Sequence, residues 1–250
     1  MRHAEPVGCF PTGRHYPGIA HLIRILATGM AEEFSSDLLV NALRFVSIDT
    51  ETTGRDPTVD RIVEIACVTW ENGEVIARKS WLVNPERPIP QEAFEVHGIS
   101  DDDVKDKPKL GDIMDEVLQA MEGAVPVAYN AEYDRKVIHA EIARLTRPAQ
   151  RQPPCLRRNV EWLDPLLWAR ELQKNEKGKS LGEVSARLGI EIPQAHRALD
   201  DAEAALKVLL AFLPDTRVPR AYGAFLHEQR RIYRLFEDER RIWKSRIPGS

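Results

Sequence analysis

An α/β architecture is what this sequence predicts, and three observations carry that expectation. Strand-like apolar runs at 44–50, 61–70 and 75–83 come first, and the last two are separated by Asn72-Gly73, a dipeptide that favours a tight hairpin. From Leu110 onward helical and strand segments alternate. The 250 residues, 43% hydrophobic and 30% charged, suffice for one sizeable core with appendages.

Residues 1–43 lack a strand rhythm and open with His, Pro and Gly punctuation. A helix is expected from Ile19 to Leu43, as an accessory extension, and Met30 allows a later translation start. The hairpin at Asn72-Gly73 implies antiparallel neighbours early in the sheet. After a Pro-marked connection, Leu110–Met121 reads as a helix, Val125–Tyr129 as a buried strand and Ala131–Leu145 as a helix. The Pro- and Arg-rich stretch 147–158 reads as an exposed loop, followed by a short strand at Val160–Leu163 and a helix at Leu166–Leu172. Lys174–Lys179 is a charged connector. Ser180 caps a helix that runs through Leu188 and ends at Gly189, and Ala198–Leu213 forms a long helix before Pro214. The expected organisation is an extension at 1–43, a catalytic domain at 44–213 and a basic helical tail at 214–250.

Formal net charge is -4, which argues against coating nucleic acid through global positive potential but permits a local basic groove. From Asp215 to Ser250 there are nine Lys and Arg against five Asp and Glu, so the tail is the better candidate for attracting phosphate. Its Phe225, Ile232, Leu235, Phe236, Ile242 and Trp243 suggest an amphipathic helix packing on its own domain, with nucleic acid or a partner as the alternative. Cys9, Cys67 and Cys155 form no CxxC pair and support neither a disulfide framework nor a zinc site, so a reducing, cytoplasmic setting is expected. The apolar run Ile19–Ala27 is interrupted by His21 and Arg24 and falls far short of the ~20 residues a membrane span needs.

The chemistry is concentrated in Phe45-Val-Ser-Ile-Asp49-Thr-Glu51-Thr-Thr-Gly54. Side chains alternate along a strand, so Asp49 and Glu51 share one face at its carboxyl end. Such a pair repels unless neutralised, and hard divalent cations with oxygen ligands are the economical answer, pointing to phosphoryl chemistry. Asp134 follows the strand at 125–129, and its helix carries Val137, Ile138, Ile142 and Leu145, which places it on or beside the apolar stripe. Asp201 opens the last long helix on the face continued by Ala205, Val208, Leu209 and Phe212, whereas Asp200 is about 100° away toward solvent or the helix dipole. His196 precedes that helix by a turn, and imidazole is the side chain whose chemistry suits it to take a proton at neutral pH. Glu64, on a strand, reads as a structural ion-pair partner.

Asp49-x-Glu51, Asn130-x-x-Tyr133-Asp134 and His196-x-Ala198-x-x-Asp201 resemble the three motifs of the DEDDh, or DnaQ-like, 3′–5′ exonucleases, over about residues 44–213. Arg61-Ile-Val-Glu64-Ile-Ala and Asn84-Pro85 through Val96-His97-Gly98-Ile99 are similar to segments of the proofreading epsilon subunit of bacterial DNA polymerase III. The resemblance implies an RNase H-like fold with a five-stranded mixed sheet flanked by helices. It also implies two Mg²⁺ or Mn²⁺ ions held by Asp49, Glu51, Asp134 and Asp201, with His196 as general base. Thr52, Thr53, His97, Asn130 and Tyr133 become candidates to hold the terminal nucleotide. The implied substrate is a single-stranded or frayed 3′ end, DNA ahead of RNA. The alternatives are an RNA enzyme of the RNase T or oligoribonuclease type, or a subunit acting mainly through docking to a DNA polymerase.

Overall fold

The computed structural model describes residues 34–145, 153, 156–157 and 160–245. The expected helix from Ile19 and the expected loop at 147–158 lie largely outside them. β1 (Phe45–Thr52), β2 (Ile62–Glu71) and β3 (Glu74–Leu82) form an antiparallel meander. Asn72 and Gly73 both take positive φ, 53° and 95°, the conformation that a two-residue hairpin matched to strand twist requires. Short helices α1 (Gln91–His97) and α2 (Asp101–Val104) follow, then α3 (Leu110–Ala120), β4 (Val125–Val127) and α4 (Ala131–Arg144). The remaining helices are α5 (Pro165–Leu172), α6 (Leu181–Arg187), α7 (Ala198–Phe212) and α8 (Tyr222–Ser245). Serine capping boxes start α2 at Ser100 and α6 at Ser180, the second as expected.

The sheet order is β3-β2-β1-β4, with β4 parallel to β1. It is a mixed sheet flanked by helices, but among the described residues it has four strands where five were expected. The segment expected as the fifth strand makes one parallel bridge, Leu163 to Val127. The expected strand is cut short at its start, where the Val160 N–H closes a turn onto Arg157 O (3.0 Å), so the chain meets β4 only at Leu163. The β4 strand is also shorter than expected, because Asn130 turns into left-handed φ (66°) to start α4.

Helices cover both faces of the sheet, which is why nine of ten β2 residues are buried. Phe45, Ala66, Val68, Val125 and Val127 pack in one core with Trp168, Val208 and Phe225. Phe45 and Trp70, paired across β1 and β2, stack at 5.4 Å. On the other face Val46, Ile48 and Cys67 pack with Leu118, Val137 and Ile138.

The described end of the N-terminal extension is not helical, contrary to expectation. Residues 34–43 form turns and a short 3₁₀ segment, Val40–Ala42. Their backbone is committed elsewhere: Val40 N–H donates to Arg220 O (2.8 Å), Tyr222 N–H to Leu38 O (2.8 Å) and Gly223 N–H to Ser36 O (2.9 Å). The tail does form an amphipathic helix, and its first half joins the core through Tyr222, Phe225, Leu226 and Ile232, while Leu235, Ile242 and Trp243 are exposed. No helix among the described residues is long and apolar enough to cross a membrane.

Candidate active site

Asp49 and Glu51 leave β1 on the same face as Phe45, the side covered by α7. The first turn of α7 brings Asp201 to them, and one carboxylate oxygen from each of the three lies within 4.8 Å of the others. Burial raises the pKa of Asp49 well above the ordinary carboxylate range, reinforced by the charges of Asp134, Glu51 and Asp201. Glu51 is only 9% exposed, and burial followed by Asp201 and Glu64 pushes it to about 8. Asp201 is raised by burial as well. An all-oxygen set of converging donors, each resisting ionisation, fits a hard divalent cation such as Mg²⁺ or Mn²⁺.

Asp134 approaches from the opposite side of β1. Thr50, which alternates with Asp49 and Glu51, donates its hydroxyl to Asp134 Oδ1 at 2.7 Å and fixes the carboxylate's direction. Burial brings Asp134 to about 7 against the opposing pull of the Thr50 hydrogen bond. Its charge is the largest electrostatic contribution to the raised pKa of Asp49, so the fourth carboxylate neighbours the first without belonging to the close trio.

His196 lies at the mouth of the site. Its φ of 62° is unusual for a residue with a Cβ, and the conformation is held by its backbone N–H donating to Asp201 Oδ2 at 3.0 Å. The imidazole is exposed. Glu64 sits opposite Glu51 in the β1–β2 register, a placement of like charges that costs stability unless compensated. Arg197 supplies the compensation with Nε and Nη2 both 3.0 Å from the Glu64 oxygens, while Ser80 Oγ and the Ala198 N–H add hydrogen bonds. Glu64 is thus the structural ion-pair partner expected, and it ties the start of α7 to the sheet.

The remaining candidates surround the end of β1. Thr52 and Tyr133 join hydroxyls at 2.7 Å, and Tyr133 also donates to Gly54 O at 2.7 Å. Thr53 is buried, with its hydroxyl on Asp60 Oδ1 (3.0 Å). Gly54 packs so closely that a Cβ would lie 2.4 Å from Asp60 Oδ2, hence the glycine. His97 is buried beside the backbone of Thr52, accepts the Ile99 N–H at Nδ1 (3.0 Å) and has its pKa lowered by burial. Asn130 occupies the N-cap of α4 without a side-chain cap. A cleft of about 590 Å³ opens here, lined by Glu51, Thr52, Gly54, Pro90, Ala93 and His97.

Two contributors escape a reading of the sequence. Thr50 and Arg197 stand within the motifs themselves but carry no local sign of their roles.

With this geometry in view, similarities to known proteins become informative. An exonuclease family model, RNase T, matches residues 46–209. A DNA polymerase III subunit epsilon-like protein of Rhodobacter capsulatus is 36% identical over 208 residues, spanning 80% of this chain and 28% of that protein. A PolC-type DNA polymerase III of Thermotoga petrophila is 32% identical over 169 residues, 68% of this chain and 12% of that one. The chain therefore spans only a minor part of these relatives. Among solved structures, Exonuclease X in complex with 5′-overhanging duplex DNA superposes with a TM-score of 0.54 and 28% identity, covering 71% of this chain and 95% of that one.

Proposed function

This chain belongs to the RNase T family of exonucleases, and from that premise we propose that it is a 3′–5′ exonuclease of the DEDDh type, acting on single-stranded or frayed DNA ends. The observation that carries the reading is the convergence of Asp49, Glu51 and Asp201 oxygens within 4.8 Å. Those three, with Asp134 beside Asp49 and held by the Thr50 hydroxyl, would hold two divalent ions, Mg²⁺ or Mn²⁺. When bound, such ions offset the charge of a phosphodiester and acidify water.

The side chains supply the rest. His196 is anchored by its backbone to Asp201 while its ring faces solvent, so it can accept the proton of an attacking water without leaving the site. The water oxygen bonds to phosphorus, the P–O3′ bond breaks with the leaving O3′ taking a proton from solvent, and the products are a nucleoside 5′-monophosphate and a chain with a new 3′-OH. The cleft beside Glu51 takes the terminal nucleotide, with Thr52, Thr53 and His97 shaping its wall and the Tyr133 hydroxyl holding Thr52 in place. DNA is favoured because both relatives are named for DNA polymerase III and Exonuclease X was solved with DNA.

The test is digestion of 5′-labelled single-stranded DNA and RNA of matched sequence with Mg²⁺ or Mn²⁺, beside EDTA and Asp49→Ala controls. A metal-dependent ladder shortening from the 3′ end of DNA is expected. Full activity in Asp49→Ala would sink the assignment, and a clear preference for RNA would move the substrate to RNA. A polymerase partnership is a second reading, supported by the relatives' names and by the exposed Leu235, Ile242 and Trp243 on α8. Polymerase co-purification that survives deletion of 234–250 would remove α8 as the docking surface.

A further inference from the structure

The start of α4 carries Asp134 in its first turns, yet its N-cap residue Asn130 makes no side-chain cap. A helix that begins this way leaves backbone N–H groups without intrahelical partners. Both amides at this start are met from 33 residues or more along the chain. Asn130 N–H donates to Asp164 Oδ1 at 3.0 Å, and Ala131 N–H to Asp164 Oδ2 at 3.2 Å. The same carboxylate is the N-cap of α5, accepting the Leu166 N–H at 2.9 Å. One side chain, 8% exposed, therefore closes two helix starts.

Asp164 is itself held from behind. Its N–H donates to Gln229 Oε1 at 2.9 Å, and Gln229 Nε2 donates to Trp162 O at 2.9 Å. Gln229 is 4% exposed and belongs to α8. On the other flank Leu163 bridges to β4, with its N–H on Pro126 O (2.8 Å) and its carbonyl accepting the Ala128 N–H (3.1 Å). The segment 162–164 is thus clamped between β4 and α8, and its carboxylate sets where α4 begins.

We propose that Asp164 is a positioning residue of the hydrolytic centre. By capping α4 from α5, with Gln229 as its support, it fixes the rotation and height at which Asp134 meets Thr50 and Asp49. This rests on the exonuclease reading given above. A cap that only stabilised the fold would change the melting temperature and leave the affinity for metal alone. A positioning cap changes both, because outer partners that orient ligands are worth roughly 10–100-fold in metal affinity.

The experiment compares wild type, Asp164→Ser, Asp164→Asn and Leu43→Ala. Serine keeps one acceptor for Leu166, and asparagine keeps the shape while presenting one carbonyl oxygen. Leu43 is fully buried before β1, outside this network, and controls for lost stability. Each protein is melted by circular dichroism, titrated with Mn²⁺ by calorimetry, and assayed on the DNA oligonucleotide at fixed and saturating metal. The Asp164 variants are expected to bind Mn²⁺ roughly tenfold or more weakly and to lose kcat at fixed metal, with KM for DNA within about twofold. Leu43→Ala should melt earlier and bind Mn²⁺ as wild type does. Folded Asp164 variants with unchanged Mn²⁺ affinity overturn the proposal, as does an equal loss in Leu43→Ala. If Asp164→Ser does not fold, Asp164→Asn decides; failure of both to fold overturns it too, since the residue would then be a core element. Wild type that neither binds Mn²⁺ nor cuts DNA removes the exonuclease reading, and this inference with it.

Discussion

Replacing Glu51 with glutamine should make the metal-free protein more tolerant of rising pH. Glu51 has a pKa of about 8 in the fold against 4.5 for an ordinary glutamate, chiefly because it is buried and secondarily because Asp201 and Glu64 are close. The folded state therefore holds this proton more tightly than the unfolded chain does. The stability it contributes is complete below about pH 4.5 and drains away as pH rises to about 8. Every tenfold difference in proton affinity between the two states is worth about 1.4 kcal/mol, so the full loss is roughly 5 kcal/mol, of which about 3 kcal/mol falls between pH 5 and 7.5. With only 9% of the residue exposed, solvent screening takes little from that figure. The assay is urea unfolding in EDTA across this pH range. Wild type should lose about 3 kcal/mol more than Glu51→Gln, which removes the ionisation but keeps the shape. Asp49, Asp134 and Asp201 are raised too, so a shared slope remains in both proteins. Added Mn²⁺ should flatten the wild-type curve, because a bound cation replaces the proton. Parallel curves for the two proteins in EDTA would refute the reasoning.

Three further perturbations separate fold from chemistry. Arg197→Ala leaves the carboxylate of Glu64, 2% exposed, without its bidentate partner, and should cost about 3 kcal/mol in chemical denaturation; a cost under about 1 kcal/mol would show the pair to be dispensable. His196→Gly should be more stable than His196→Ala by about 1 kcal/mol, since only glycine takes a φ of 62° freely. Both His196 variants should lose roughly 10²–10⁴ in rate while still binding Mn²⁺, and retained turnover in either would dismiss the imidazole as base. Tyr133→Phe removes the hydroxyl that joins Thr52 and Gly54 and should cost about 1 kcal/mol in thermal unfolding, with KM for DNA rising more than kcat falls; an unchanged KM would detach this hydroxyl from substrate binding.

Asp49 and Glu51 can be read from the chain because strand alternation is a local rule, and Asp201 because a helix repeats its faces over short distances. The inward placement of Asp134 follows from the same logic, and the structure adds the Thr50 hydroxyl that aims it. What stays hidden depends on partners far apart in sequence. Asp164 announces the cap of its own helix, but nothing local says that it also caps a helix beginning at Ala131. Likewise Arg197 finds Glu64 only once α7 lies across β2. The missing fifth strand is a milder case: Val160–Leu163 has strand-forming residues, but the Val160 N–H is taken by a turn onto Arg157 O, which leaves Leu163 alone to pair with β4.

The backbone pairing of residues 36–40 with 220–223 fastens the approach to β1 onto the start of α8. The fastening lies at the end of the sheet remote from Asp49 and Asp201, while α8 runs on through the core and carries Gln229 to Asp164. A pull on the segment before β1 is therefore felt first by α8, and through it by the clamp at 162–164, ahead of any carboxylate of the cluster.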